Sequence, residues 1–153
     1  MAALSAARND VLRKQGDEVA YPVLAGQKIY EGSTVLIEAS SGYAITNDGT
    51  TKTISAGDMF VGICAETADN TSGSNGDVEV RVYAKGTFEL PFASGDSIAQ
   101  ANVGDTVLNN NTSDDGEVTI TDDAGIDVAV GKLIGIAGTD KGRVAITPYT
   151  IAA

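Results

Sequence analysis

The densest run of oxygen-bearing side chains is Asn111-Thr112-Ser113-Asp114-Asp115-Gly116, with Asp122 beyond it. It loosely follows a calcium loop, in which ligands fall at positions 1, 3, 5 and 12 around a glycine at 6. The match fails where charge matters most. Asparagine stands first where aspartate is usual, and aspartate stands last where a bidentate glutamate is usual. An Asx-rich turn accounts for the same residues without an ion, so no metal is expected. The pairs Asp114-Asp115 and Asp122-Asp123 could serve acid–base chemistry, but in polar loops they read as solvated carboxylates. Gly138-Thr139-Asp140-Lys141-Gly142 is too short for a phosphate-binding loop and reads as a turn before a strand.

The missing residue types exclude more. The chain has no His, which removes imidazole acid–base catalysis, His-dependent triads and His-ligated metals. Its one cysteine, Cys64, has no partner for an intrachain disulfide or a Cys-cluster metal centre. Flanked by Met59 to Ala65, it reads as a small buried hydrophobe. The residues give no enzyme and no cofactor.

The elements that must carry any function are therefore elements of contact. The 153 residues suffice for one domain, and 42% apolar content suffices for a core. No apolar run approaches the roughly 20 residues of a membrane span, so no membrane partner is expected. With 10 Lys and Arg against 21 Asp and Glu, the net charge of −11 disfavours phosphate backbones and hence nucleic acid. Charge is unevenly placed. Residues 1–16 hold Arg8, Arg13 and Lys14 against Asp10 alone, so a basic arm precedes an acidic body.

Within the arm Leu4, Ala7, Val11 and Leu12 recur at near-helical spacing, and Gly16 offers a stop. A helix this short is marginal alone in water, so its apolar side needs a partner surface. The arm is no secretory signal, since it lacks a continuous apolar region, and the chain is expected to fold in cytoplasm. The sequons at Asn70, Asn110 and Asn111 then mark polar loops only.

After Gly16 the period changes to two, and 18 glycines with Asx clusters punctuate short apolar runs. Asp77 to Ala84 alternates most clearly, with Val78, Val80, Val82 and Ala84 on one side and Glu79, Arg81 and Tyr83 on the other. Further strands are predicted at Val35–Ile37, Tyr43–Thr46, Met59–Ala65, Thr87–Leu90, Glu117–Thr121, Lys132–Ala137 and Arg143–Thr147. Asp69 to Asp77 and Asn109 to Gly116 read as loops.

The two halves repeat one another. Gly32–Leu36 matches Gly104–Leu108 at an offset of 72, Ala44–Asp48 matches Thr119–Asp123 at 75, and Phe60–Ala65 matches Leu133–Gly138 at 73. The fold expected is all-β: a small β-barrel or sandwich over residues 17–153, built from related halves at about 26–90 and 98–149, behind an N-terminal arm at 1–16.

Four elements, Gly86–Pro91, Gly104–Leu108, Leu133–Ala137 and Arg143–Thr147, together resemble the capsid decoration, or cement, proteins of tailed bacteriophages, a family sometimes labelled a phage recombinase. The resemblance covers about residues 16–149. It implies a barrel-like body that forms homotrimers on the exterior of an icosahedral head, binds the major capsid protein and clamps neighbouring capsomers. A recombinase would need an ATP site, and the sequence offers none. The long arm and the Asn109–Gly116 loop depart from the family pattern. The candidate capsid-binding residues are those of the arm: Leu4, Arg8, Val11, Leu12, Arg13 and Lys14. Other classes remain open. A carbohydrate-binding or adhesin-like module would need exposed aromatic platforms, for which Tyr21, Tyr30, Tyr43, Tyr83 and Tyr149 are available and Trp is not. A hydrolase using Asp and Glu pairs would need a pocket with perturbed carboxylates.

Overall fold

A computed structural model describes residues 17–47, 52–109, 117–122 and 128–151, which form an all-β fold. The strands are β1 (Glu18–Pro22), β2 (Lys28–Ile29), β3 (Thr34–Ile37), β4 (Ala44–Ile45), β5 (Met59–Cys64), β6 (Ala68–Asp69), β7 (Glu79–Tyr83), β8 (Thr87–Pro91), β9 (Thr106–Asn109), β10 (Val118–Thr119), β11 (Ala129–Gly138) and β12 (Lys141–Ile146). Two short 3₁₀ turns, Ser94–Asp96 and Gln100–Asn102, join β8 to β9. Along β7 the period of two becomes geometry: Val80 and Val82 are buried, while Glu79, Arg81 and Tyr83 face out.

The strands form two five-stranded antiparallel sheets, ordered β1-β7-β5-β3-β4 and β8-β12-β11-β9-β10, and a two-stranded ribbon of β2 and β6. Each five-stranded sheet curls until its ends meet. A parallel bridge joins Val23, just past β1, to Ala44 in β4, and another joins Phe92, just past β8, to Val118 in β10. Each sheet is thus a small barrel, and closure removes exposed edges.

The barrels share one register. The Gly32 N–H donates to the Cys64 carbonyl at 2.9 Å, as Gly104 does to Leu133 at 2.7 Å. Leu24 donates to Ala44 as Ala93 does to Val118, both at 3.0 Å. Val35 lies opposite Gly62 with Val61 bulged before it, and Val107 lies opposite Gly131 with Val130 bulged before it. Gly62 therefore corresponds to Gly131, not to Gly135 as the offset of 73 implies. The reason is backbone proximity. A Cβ on Gly62 would sit 2.3 Å from the Tyr83 carbonyl oxygen, and one on Gly131 would sit 2.0 Å from that of Ala145. Only glycine lets the neighbouring strand approach so closely.

Sheet membership also places the halves differently from 26–90 and 98–149. Residues 18–22 belong to the first sheet as β1, whereas Thr87–Leu90 belong to the second, where Glu89 pairs with Arg143 in register.

Two cores result. Val23, Ile29, Val35, Ala44, Val61, Cys64, Ala68, Val80 and Val82 fill the first barrel, with Ile29 and Ala68 contributed by the ribbon. Phe92, Val107, Val118, Val130, Leu133 and Val144 fill the second. Their cluster continues into Leu36, Ile45, Phe60 and Ile63 from the first sheet, so one apolar interior spans the junction. Across the same junction the Thr34 hydroxyl donates to Asn109 Oδ1 at 2.9 Å. The C-terminal tail straps the barrels together: Phe60 N–H donates to Thr150 O at 2.9 Å, Tyr149 N–H donates to Phe60 O at 2.6 Å, and the Thr150 hydroxyl donates to Ala129 O.

Candidate interaction surface

The arm residues Leu4, Arg8, Val11, Leu12, Arg13 and Lys14 lie outside the described residues, as do Asn110 to Gly116 of the carboxylate loop and Asp123. The described chain begins at Asp17, whose carbonyl accepts from Ala84 N–H at 2.9 Å. The arm therefore joins the body where one barrel hands over to the next.

A groove of about 370 Å³ runs between β6 and the outer face of β1 and β7, lined by Ala20, Glu66, Ala68, Asp69, Glu79 and Arg81. The Arg81 guanidinium bridges Glu18 at 2.6 Å and Glu66 at 2.7 Å. The hydrogen bond to Glu66 and the Glu18 charge push its pKa upward, which keeps it charged. Hydrogen bonds from the Thr71 hydroxyl and N–H hold Asp69 below the usual carboxylate range, with a smaller contribution from Lys28 at 3.8 Å. These carboxylates already have partners, which is an arrangement for shaping a surface.

A second cavity, also about 370 Å³, is lined by Glu38, Ser40, Lys52, Ser55 and Asp58. Glu38 forms an ion pair with Lys52. Asp58, 1% exposed, accepts from the Ala39 and Ser55 N–H groups, both at 2.8 Å. Its position after Gly57 thus fastens the β3–β4 connection to the start of β5, a structural role for a carboxylate.

The apolar surface is distributed over several elements. Val103 and Ile134 are exposed beside each other, since Gly104 N–H donates to Leu133 O. Reading Leu133–Ala137 as one buried run misses Ile134; Lys132, Leu133 and Ile134 alternate exposed, buried and exposed along β11, so Ile134 faces away from the core that Leu133 enters. Tyr149 and Ile151 are exposed on the C-terminal strap. Tyr83 stacks obliquely on Phe88 at 5.8 Å, and the Lys28 ammonium sits 4.9 Å over the Tyr30 ring. Tyr21, in contrast, is half-buried against the first core.

Three smaller readings meet the structure directly. Cys64 is buried, and burial pushes its thiol pKa up, which suits a core residue. Gly138 to Gly142 forms the β11–β12 turn, with Asp140 at φ +52°. Asn70 departs from a solvated loop residue: it is 1% exposed, and its Nδ2 donates to the carbonyls of Val23, Leu24 and Ser74 at 3.1, 3.2 and 2.9 Å. The buried amide thus ties the turn at Ser74 to the chain leaving β1 at Val23 and Leu24.

No protein-family description, curated protein or solved structure matches the chain.

Proposed function

We propose that this protein is a structural virion component that binds the outer surface of an icosahedral phage capsid as a homotrimer and cements neighbouring capsomers. One observation supports the reading above the others. The four elements that resemble the decoration proteins become β8, β9, β11 and β12, neighbours in a single sheet, so the resemblance falls on one contiguous unit. Two barrels joined by a common core and a strap give a body suited to contact between other subunits. The basic arm leaves an acidic body at the barrel junction, where it can reach a separate surface. In a trimer three arms engage together, and the raised effective concentration strengthens attachment without further contacts.

The test is light scattering of the purified protein together with co-sedimentation on expanded phage heads. A stable trimer that pellets with heads is expected. A protein that is monomeric both free and on particles, or that stays in the supernatant, overturns the proposal.

A further inference from the structure

We propose that Asn75–Gly76 is a latent deamidation site which the fold keeps sealed, and which opens only when the turn between β6 and β7 comes apart. Asparagine followed by glycine is chemically labile because no side chain hinders the attack of the glycine nitrogen. That nitrogen loses its proton to solvent base and bonds to Asn75 Cγ, and the side-chain nitrogen leaves as ammonia. Water then opens the resulting succinimide at either carbonyl, giving aspartate or isoaspartate.

Both reacting groups are occupied in the native turn. The Gly76 N–H donates to the Val23 carbonyl at 2.9 Å, and Asn75 Oδ1 accepts from the Ala25 N–H at 2.9 Å. Cyclisation must break the first bond to free the nucleophile and the second to swing the amide carbon towards it. Neighbouring bonds hold the segment shut. Asp77 N–H donates to Ser74 O at 3.1 Å, Ser74 N–H donates to Asp77 Oδ2 at 2.9 Å, and Asn70 binds Ser74 O from beneath. Both residues are nonetheless exposed, so water reaches the site once the turn opens.

The geometry also accounts for the labile pair. Gly76 sits at φ +80°, a conformation that strains any residue with a Cβ, and a Cβ there would also approach Tyr43 at 3.4 Å. Position 75 must present a side-chain acceptor to Ala25. Asparagine before glycine meets both demands. Aspartate would keep the acceptor, whereas isoaspartate adds an atom to the backbone and disrupts the bond between Gly76 and Val23. The damage is one-way, so it accumulates with each opening of this end of the first barrel.

The test is peptide-level mass spectrometry of the full chain aged at mildly alkaline pH, folded and in urea. Conversion at Asn75 is expected to be at least about tenfold slower in the folded protein, because only the open fraction reacts. Asp77→Ala and Asn70→Ala, which loosen the turn from opposite sides, should each accelerate conversion in the folded state. Asn70→Ala should act more strongly, and circular dichroism checks that each variant remains folded. Asn75→Asp should unfold at nearly the wild-type temperature. Equal rates in folded and unfolded protein, or an Asp77→Ala rate no faster than wild type, overturn the proposal.

Discussion

A Cβ built on Gly142 would lie 2.9 Å from Phe92 Cε1 and 2.5 Å from Leu133 Cδ1. Gly142 occupies the place in the second barrel that Val80 holds in the first, and Phe92 and Leu133 occupy those of Val23 and Cys64. The two interiors reach the same filling by opposite choices: three mid-sized side chains in one barrel, two large ones and a glycine in the other.

That exchange makes the first prediction. Gly142→Ala should destabilise the protein by about 1–3 kcal/mol through overpacking. Gly142→Val with Phe92→Val and Leu133→Cys, which installs the first barrel's set, should restore much of the loss. Thermal denaturation of the single and triple variants reads both, and a triple variant less stable than Gly142→Ala would contradict the equivalence.

The buried bond between Thr34 and Asn109 joins the sheets, with both residues under 5% exposed. Thr34→Val should cost about 1–3 kcal/mol, because Asn109 Oδ1 loses its donor while remaining buried. Adding Asn109→Val should cost less than the sum of the two single changes. Urea unfolding of the four proteins in the cycle measures the coupling.

Tyr21 gives a pH dependence. Burial first, then its hydrogen bond with Tyr149, raises its pKa from 10.0 to about 12. The native state therefore holds the phenol proton more tightly than the unfolded chain does. Its contribution is complete below pH 10.0 and fades as pH rises towards about 12. Chemical unfolding across that window should show stability falling, and Tyr21→Phe should flatten the slope.

On the proposed function, deleting residues 2–15 should leave the β fold and the trimer intact and strongly weaken binding to heads. Replacing Arg8, Arg13 and Lys14 with Ala should weaken it in a salt-sensitive manner. Wild-type head occupancy by the truncated protein would move attachment to the barrel surface.

The sequence by itself determined the class of fold and much of its layout. The alternation over Val78–Ala84 is the inward and outward face of β7, and the runs at Met59–Ala65 and Lys132–Ala137 are the central strands β5 and β11. Buried strands impose a period or an apolar run that local composition carries. It also placed Cys64 in the core, because a small thiol among hydrophobes has few other places to be. It did not show β1, β2 or β6. β2 and β6 lie in segments with no alternating apolar run, unlike the equally short β4 and β10, and Glu18–Pro22 ends in a proline and lies half exposed.

Only the tertiary structure decided the register between the halves. Similarity of letters aligned Gly62 with Gly135, but the requirement is for a backbone contact with Tyr83, and Gly131 makes its counterpart with Ala145. The same holds for Asn70, drawn inward by the carbonyls of Val23, Leu24 and Ser74. Each depends on atoms distant in the chain or on the partner strand. A one-dimensional pattern records which residues prefer burial, whereas close approach and hydrogen-bond satisfaction are fixed only once the strands lie beside one another.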